Sequence, residues 1–261
     1  ADLNDVNMID PFHLEAYGIT TVNYNRDVEI YPVLAAMFER IYGECPYQSP
    51  TDMGVNMAGN CIIDDEACQE ASKQEIIRRY FQSMNRHSMD EATQEEVYKQ
   101  ELLLQQAKIT PDYRPVVPAA NAKSDATNGL PAAAMELADG RILTGKTSDL
   151  LGACASVLLN ALKELGEIDD SMDLLPPTYI EPVMKLKTDY LGSKNPRLHT
   201  DEVLIALSTC AVNDPHARKA LEQLPALKGC QLHATVLLSE VDLATFKKLG
   251  IDVTYPANKH W

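Results

Sequence analysis

No stretch of this 261-residue chain approaches the roughly 20 consecutive apolar residues that a membrane-spanning helix needs, and no basic-then-apolar signal segment opens it. Positive charge is scarce as well. Lys and Arg number 23 against 38 Asp and Glu, for a formal charge of -15 at pH 7. That field repels nucleic-acid backbones and anionic lipid, which argues against both as general partners; a local basic pocket for a small anion remains compatible with it. The six cysteines, Cys45, Cys61, Cys68, Cys154, Cys210 and Cys230, include no C-x-x-C pair. Cys154 and Cys210 sit in apolar helical runs, so buried free thiols fit better than disulfides or zinc, and the expected compartment is the reducing cytoplasm. No His/Asp/Glu spacing makes a metal motif, no nucleophile-elbow signature occurs, and no cofactor is indicated.

What is present is enough apolar sequence, 45%, for one large or two modest domains. A β-rich run at Ile19 to Tyr24 leads to a helix from about Val28 to Tyr42, with Asp27 as its cap and Pro32 near its first turn. Residues 43–60 read as a long loop, followed by helices at about Asp64 to Met84 and Thr93 to Ala107. The proline-rich stretch 111–130 reads as a linker. Beyond it, two short runs meet at Asp139-Gly140, a dipeptide that favours a type I′ hairpin, and a helix follows with Thr147 or Ser148 as cap and Gly166 as stop. Helices at about 178–191, 200–212 and 215–224 precede "CQLHATVLL", "DLATFKKLG" and "IDVTY", read as strand, helix and strand. The expected class is α/β or α+β: a largely helical portion over 1–110, then a mixed sheet covered by helices over 131–261.

"GRILTGKT", Gly140 to Thr147, has the spacing of a phosphate loop. Such a loop must curl its backbone N–H groups around phosphate between a buried strand and a helix start. The four intervening residues, Arg141 to Thr144, are strand-formers that favour pairing over curling, so a hairpin followed by a capped helix is the better reading. A weaker role survives, in which Lys146, Thr147 and the amides of a helix start hold a carboxylate or phosphate. The densest polar cluster is "YLGSKNPRLHTDEVL", where Lys194, Asn195, Arg197 and His199 precede a helix that Thr200 can cap. Two cations and an imidazole ahead of a helix suit an anion or acid–base site, although a simple proline-containing turn accounts for them equally well. His233 is either a pocket residue or a hydrogen-bonded core histidine, the second being the more common case. Arg26 falls at an expected strand-to-helix turn, and Asp52 and Asn56 lie in the long loop beside glycines.

The chain opens on Ala1, which fits either the middle of a longer protein or removal of an initiator Met. The runs "MIDPFHLEAYG", "SPTDMGVNMAGNCIIDDE", "DGRILTGKTSDLLGA" and "LGSKNPRLHTDEVLIALS" resemble the bacterial family designated domain of unknown function 1846. That resemblance implies that this chain is the C-terminal half of a longer one, lacking a Rossmann-like first half with a Gly-Ser-Gly-Lys segment. Residues 1–110 would then complete that Rossmann-like domain. The resemblance carries over no catalytic residue. The expectation is a cytoplasmic enzyme fragment binding a nucleotide or other small anion, with Arg26, Asn56, Lys146, Thr147, Lys194, Asn195, Arg197 and His233 as contacts and His199 or Asp52 moving a proton. The alternative is a non-catalytic oligomerisation or ligand-sensing module, built on the same loops and on Met53, Val55 and Met57.

Overall fold

The computed structural model describes residues 25–47, 65–89 and 92–256. They belong to two compact units, Ala1–Arg114 and Pro115–Trp261. The expected strand at 19–24 and most of the loop at 43–60 lie outside the described residues.

In the first unit the described elements are helices α1 (Asn25–Tyr42), α2 (Asp65–Ser88) and α3 (Gln94–Gln106). The start of α1 is Asn25 rather than Val28, so Asp27 lies inside the helix instead of capping it. Pro32 then falls beyond the first turn, where it removes an interior hydrogen bond. Thr93 caps α3 as its sequence suggests, accepting the Glu96 N–H, with Glu95 and Glu96 at the positive end of the helix dipole. α2 and α3 pack through Ile76, Ile77, Leu103 and Leu104. Glu75, buried on α2, is held by Arg78 at 2.8 Å and Arg79 at 2.6 Å, three and four residues further along the same face.

The proline-rich segment is not a bare linker. It contains a 3₁₀ turn, Pro111–Tyr113, and a helix α4, Val116–Ala126, that buries Val116, Val117 and Ala120. Its prolines sit at or just inside element starts, where a missing N–H costs nothing, so a composition that usually marks a loop here marks helix beginnings.

Four strands, β1 (Ala132–Glu136), β2 (Ile142–Lys146), β3 (Gln231–Ala234) and β4 (Asp252–Thr254), make one mixed sheet in the order β2-β1-β3-β4. β1 runs antiparallel to both β2 and β3, and β3 runs parallel to β4. The alanine-rich β1 serves two faces. Ala133 and Met135 join the main core, while Ala134 packs on Val116 and Ala120 of α4. The fold is α/β, a mixed sheet covered by helices.

The β1–β2 turn differs from the expected type I′. The N–H of Gly140 donates to the Leu137 carbonyl and that of Leu137 to the Arg141 carbonyl, with Gly140 at φ +83° while Asp139 keeps a negative φ. This is the longer hairpin loop, in which one left-handed glycine forms a bulge. Helix α5 (Ala153–Leu165) also starts later than expected: Gly152 is its N-cap, and Thr147 and Ser148 lie in the loop before it. Gly166 ends it as foreseen, donating to the Leu162 carbonyl. Helices α6 (Pro177–Lys185), α7 (Thr200–Cys210), α8 (Pro215–Leu221) and α9 (Glu240–Leu249) complete the unit. A π-helical turn, Leu186–Tyr190, extends α6. The core gathers Val157, Leu158 and Leu162 of α5 with Val203, Leu207, Leu232 and Phe246. Each such side chain contributes about 1.5–3 kcal/mol on burial.

Candidate functional site

β3 and β4 run parallel and end on the same side of the sheet, where β1 begins and β2 ends. Chain reversals at such an edge leave a crevice that secondary structure does not fill. Here it is a cleft of about 700 Å³, bordered by Gly129 to Pro131, Thr147, Gly152 to Ala155, Asn195, Arg197 to His199, Thr235 to Ser239, Asp242 and Pro256.

The loop before α7 forms one wall, and three contacts fix it. Lys187, nearly buried on the π-helical turn, donates to the Arg197 carbonyl at 2.5 Å and to Glu202 at 2.7 Å. Glu202 reaches back to accept the His199 N–H at 2.8 Å, so His199, rather than Thr200, occupies the N-cap position of α7. The Arg197 Nε donates to the Ser148 carbonyl at 2.7 Å, and Arg197 borders the cleft. Leu198 is stitched to the approach to α5: its N–H donates to the Leu150 carbonyl at 3.0 Å, and its carbonyl accepts the Gly152 N–H at 3.2 Å.

At the centre of the wall His199 Nδ1 meets Asp242 Oδ2 at 3.1 Å. Asp242 is buried and fully occupied. It accepts the N–H of Thr200 at 3.0 Å, the hydroxyl of Thr200 at 2.7 Å and the hydroxyl of Ser239 at 2.7 Å. Burial alone would push this carboxyl up, but the hydrogen bonds from His199, Thr200 and Ser239 outweigh it and hold it well below the usual carboxylate range. The bond to Asp242 raises His199 above its ordinary value, opposed by desolvation and by the charge of Lys187. With Nδ1 committed to the carboxylate, Nε2 is the ring nitrogen left for a ligand, and it has no partner among the described residues.

The first turn of α5 also borders the cleft. Gly152 has no side chain to cap it, and the first N–H satisfied within the helix is that of Ser156, donating to the Gly152 carbonyl. The amides of Ala153, Cys154 and Ala155, all in residues bordering the cleft, have no partner among the described residues. Three unpaired donors at the positive end of a helix form a cradle for oxyanions. Burial, reinforced by the charge of Asp242, pushes the Cys154 thiol up, so it stays protonated.

The cleft therefore unites four of the residues singled out in the sequence, Thr147, Asn195, Arg197 and His199. It excludes three. Lys146 is the exposed last residue of β2, paired with Ala132; Lys194 is exposed and does not border the cleft; His233 is buried on the α4 side of the sheet, with its Nδ1 2.9 Å from the Thr254 hydroxyl oxygen. Arg26 is in the first turn of α1, in the other unit, and its side chain lies outside the described residues, as do Asp52 and Asn56. The phosphate-loop spacing is a strand: Ile142 to Lys146 pair in register with β1, so the segment is extended rather than curled around a ligand. Its Gly145 has a packing role, because a Cβ there would sit 2.4 Å from the backbone nitrogen of Val157 in α5. Sequence reasoning missed Asp242 and the amides of 153–155. The S-x-x-D spacing of Ser239 and Asp242 reads as an ordinary helix cap, and Ser239 does accept the Asp242 N–H; the partner His199 is 43 positions away.

Residues 112–259 match the family model described as domain of unknown function DUF1846, C-terminal, and residues 1–108 match its N-terminal counterpart. The expectation of a C-terminal half alone is thereby corrected, since the chain carries sequence of both parts. It is 54% identical over 255 residues to a UPF0371 protein of Streptococcus thermophilus, covering 98% of this chain and 51% of the relative. A UPF0371 protein of Corynebacterium diphtheriae is 55% identical over 253 residues, covering 97% and 51%, and one of Streptococcus pyogenes is 51% identical over 261 residues, covering 100% and 53%. The chain thus spans about half the length of the curated relatives it matches. No helix among the described residues is long and apolar enough to cross a membrane.

Proposed function

The chain belongs to the DUF1846 family, and from that premise and the cleft we propose that its C-terminal unit binds a small phosphorylated or carboxylated molecule, nucleotides included, in the cytoplasm. The anionic group sits on the amides of Ala153, Cys154 and Ala155, with Arg197 and His199 bordering the same cleft. The apolar wall of Leu130, Leu237 and Pro256 takes the rest of the molecule. The observation that carries this reading is the meeting of an uncapped helix start with a cation and a histidine in one crevice of an otherwise acidic protein. The free thiols of Cys154, Cys210 and Cys230 favour a reducing compartment.

Calorimetry and thermal unfolding with inorganic phosphate, simple carboxylates and nucleotides test the proposal. A ligand at 100 times its Kd stabilises the fold by about 2.7 kcal/mol. Arg197→Ala is expected to weaken binding about tenfold, the effect of losing one charge-assisted hydrogen bond. Lys146→Ala is expected to leave binding unchanged. The reverse ranking of the two variants, or no saturable binding of any of these anions, rejects the proposal.

A further inference from the structure

We propose that His199 is a phosphoryl acceptor, its Nε2 taking a phosphoryl group from a phosphoanhydride or acyl phosphate bound in the cleft. The inference rests on the reading that the cleft holds a phosphorylated anion, and it names what becomes of that anion.

Elimination among the titratable side chains of the cleft leads to His199. Asp242 already accepts four hydrogen bonds and has no lone pair to spare for chemistry. Cys154 is buried and protonated, and no hydrogen bond joins it to the imidazole. Arg197 is a permanent cation. The Ser239 hydroxyl is spent on Asp242. His199 alone combines a half-buried ring, a second nitrogen without a partner among the described residues, and a carboxylate fixing the first. Such a carboxylate sets the tautomer, orients the ring and balances the positive charge that the ring acquires when Nε2 becomes bonded to phosphorus.

The surroundings fit a phosphoryl group in particular. A transferring phosphoryl group spreads its charge over three peripheral oxygens, and it is stabilised by fixed donors aimed at them. Three consecutive free amides, Ala153 to Ala155, and the remaining donors of Arg197 supply that number. The bond between the Gly152 N–H and the Leu198 carbonyl joins the residue before the cradle to the residue before His199, so the two segments are held in register by backbone.

In the step, the Nε2 lone pair attacks phosphorus and a P–N bond forms as the bridging P–O bond breaks. The electron pair of that bond leaves with the departing phosphate or carboxylate anion. The ring keeps its Nδ1–H, whose charge Asp242 balances, and no other proton moves. The charged groups around the ring are Asp242, Lys187 and Glu202, with Arg197 on the same wall. Because the acceptor is the neutral ring, the rate rises with pH as His199 loses its proton and then levels off.

The protein is incubated with acetyl phosphate and with a nucleoside triphosphate and Mg²⁺, and acid-labile, alkali-stable phosphohistidine is mapped by mass spectrometry. The expected result is label on His199, suppressed by excess inorganic phosphate and absent in His199→Gln. In Asp242→Asn the rate should fall on the order of 10²-fold and its rise should move to lower pH, a shift that a merely structural aspartate would not cause. Thermal unfolding of each variant verifies the fold, and Arg197→Gln, which leaves the dyad intact, should slow labelling as well. No label on folded protein that binds phosphate by calorimetry, or label on another histidine instead, overturns the acceptor role and leaves the binding proposal standing. Absence of both label and phosphate binding removes the two together.

Discussion

Replacing Gly145 by Ala tests whether the glycine of the "GKT" run serves packing or phosphate. The added Cβ would lie 2.4 Å from the Val157 nitrogen, 2.8 Å from its Cα and 2.9 Å from the Ser156 carbonyl carbon. All three are backbone atoms of α5, so no side chain can swing aside, and the helix itself must move off the sheet. α5 supplies Val157, Leu158 and Leu162 to the core, and separating it from β2 loosens those contacts. Overpacking with a backbone shift of this kind costs about 1–3 kcal/mol. For a unit of this size that corresponds to a fall in Tm of about 2–12 °C. Calorimetric melting of Gly145→Ala beside Lys146→Ala provides the comparison, with Lys146→Ala expected within about 0.5 kcal/mol of the parent. A Gly145→Ala protein that melts like the parent yet loses anion binding would refute the packing argument and revive the phosphate-loop reading.

Two further outcomes follow from the network around the cleft. Lys187→Ala frees the Arg197 carbonyl and leaves Glu202 without its cation, so it is expected to destabilise by about 1–3 kcal/mol and to weaken anion binding, read by urea unfolding and calorimetry. For pH, Asp242 is held below its ordinary range, so its contribution is complete above the unfolded value near about 3.9 and is lost as pH falls through the folded one. His199 is held above its ordinary range, so its contribution is complete below about 6.5 and is lost as pH rises through the raised folded value. Tm against pH should therefore crest between those limits, and Asp242→Asn should flatten both flanks. An unchanged alkaline flank in that variant would contradict the coupling.

Local patterns made much of the fold legible. Helical periodicity located α3 and α5, and the turn residues separated β1 from β2, because these features depend on neighbours a few positions apart. Two readings failed where one composition serves two purposes. Prolines at 111, 115 and 118 suggested a linker but begin helical elements, and a glycine spaced like a phosphate loop is the contact point of a strand and a helix. At the cleft, Arg197 and His199 stood out because several polar residues crowd one loop. Asp242 did not, since its local context is that of a helix cap and its function depends on a partner brought to it by tertiary folding. The amides of 153–155 were missed for another reason. Unpaired backbone donors leave no trace in residue identity, and Gly152 before α5 looks like any flexible joint.

The most direct measurement is a titration of the protein with inorganic phosphate, followed by the backbone amide resonances in NMR. Saturable shifts concentrated at Ala153, Cys154, Ala155, Leu198 and His199, with Gly145 and Lys146 unmoved, are the predicted outcome. Shifts centred on the "GKT" segment, or spread over surface lysines without saturation, would contradict it.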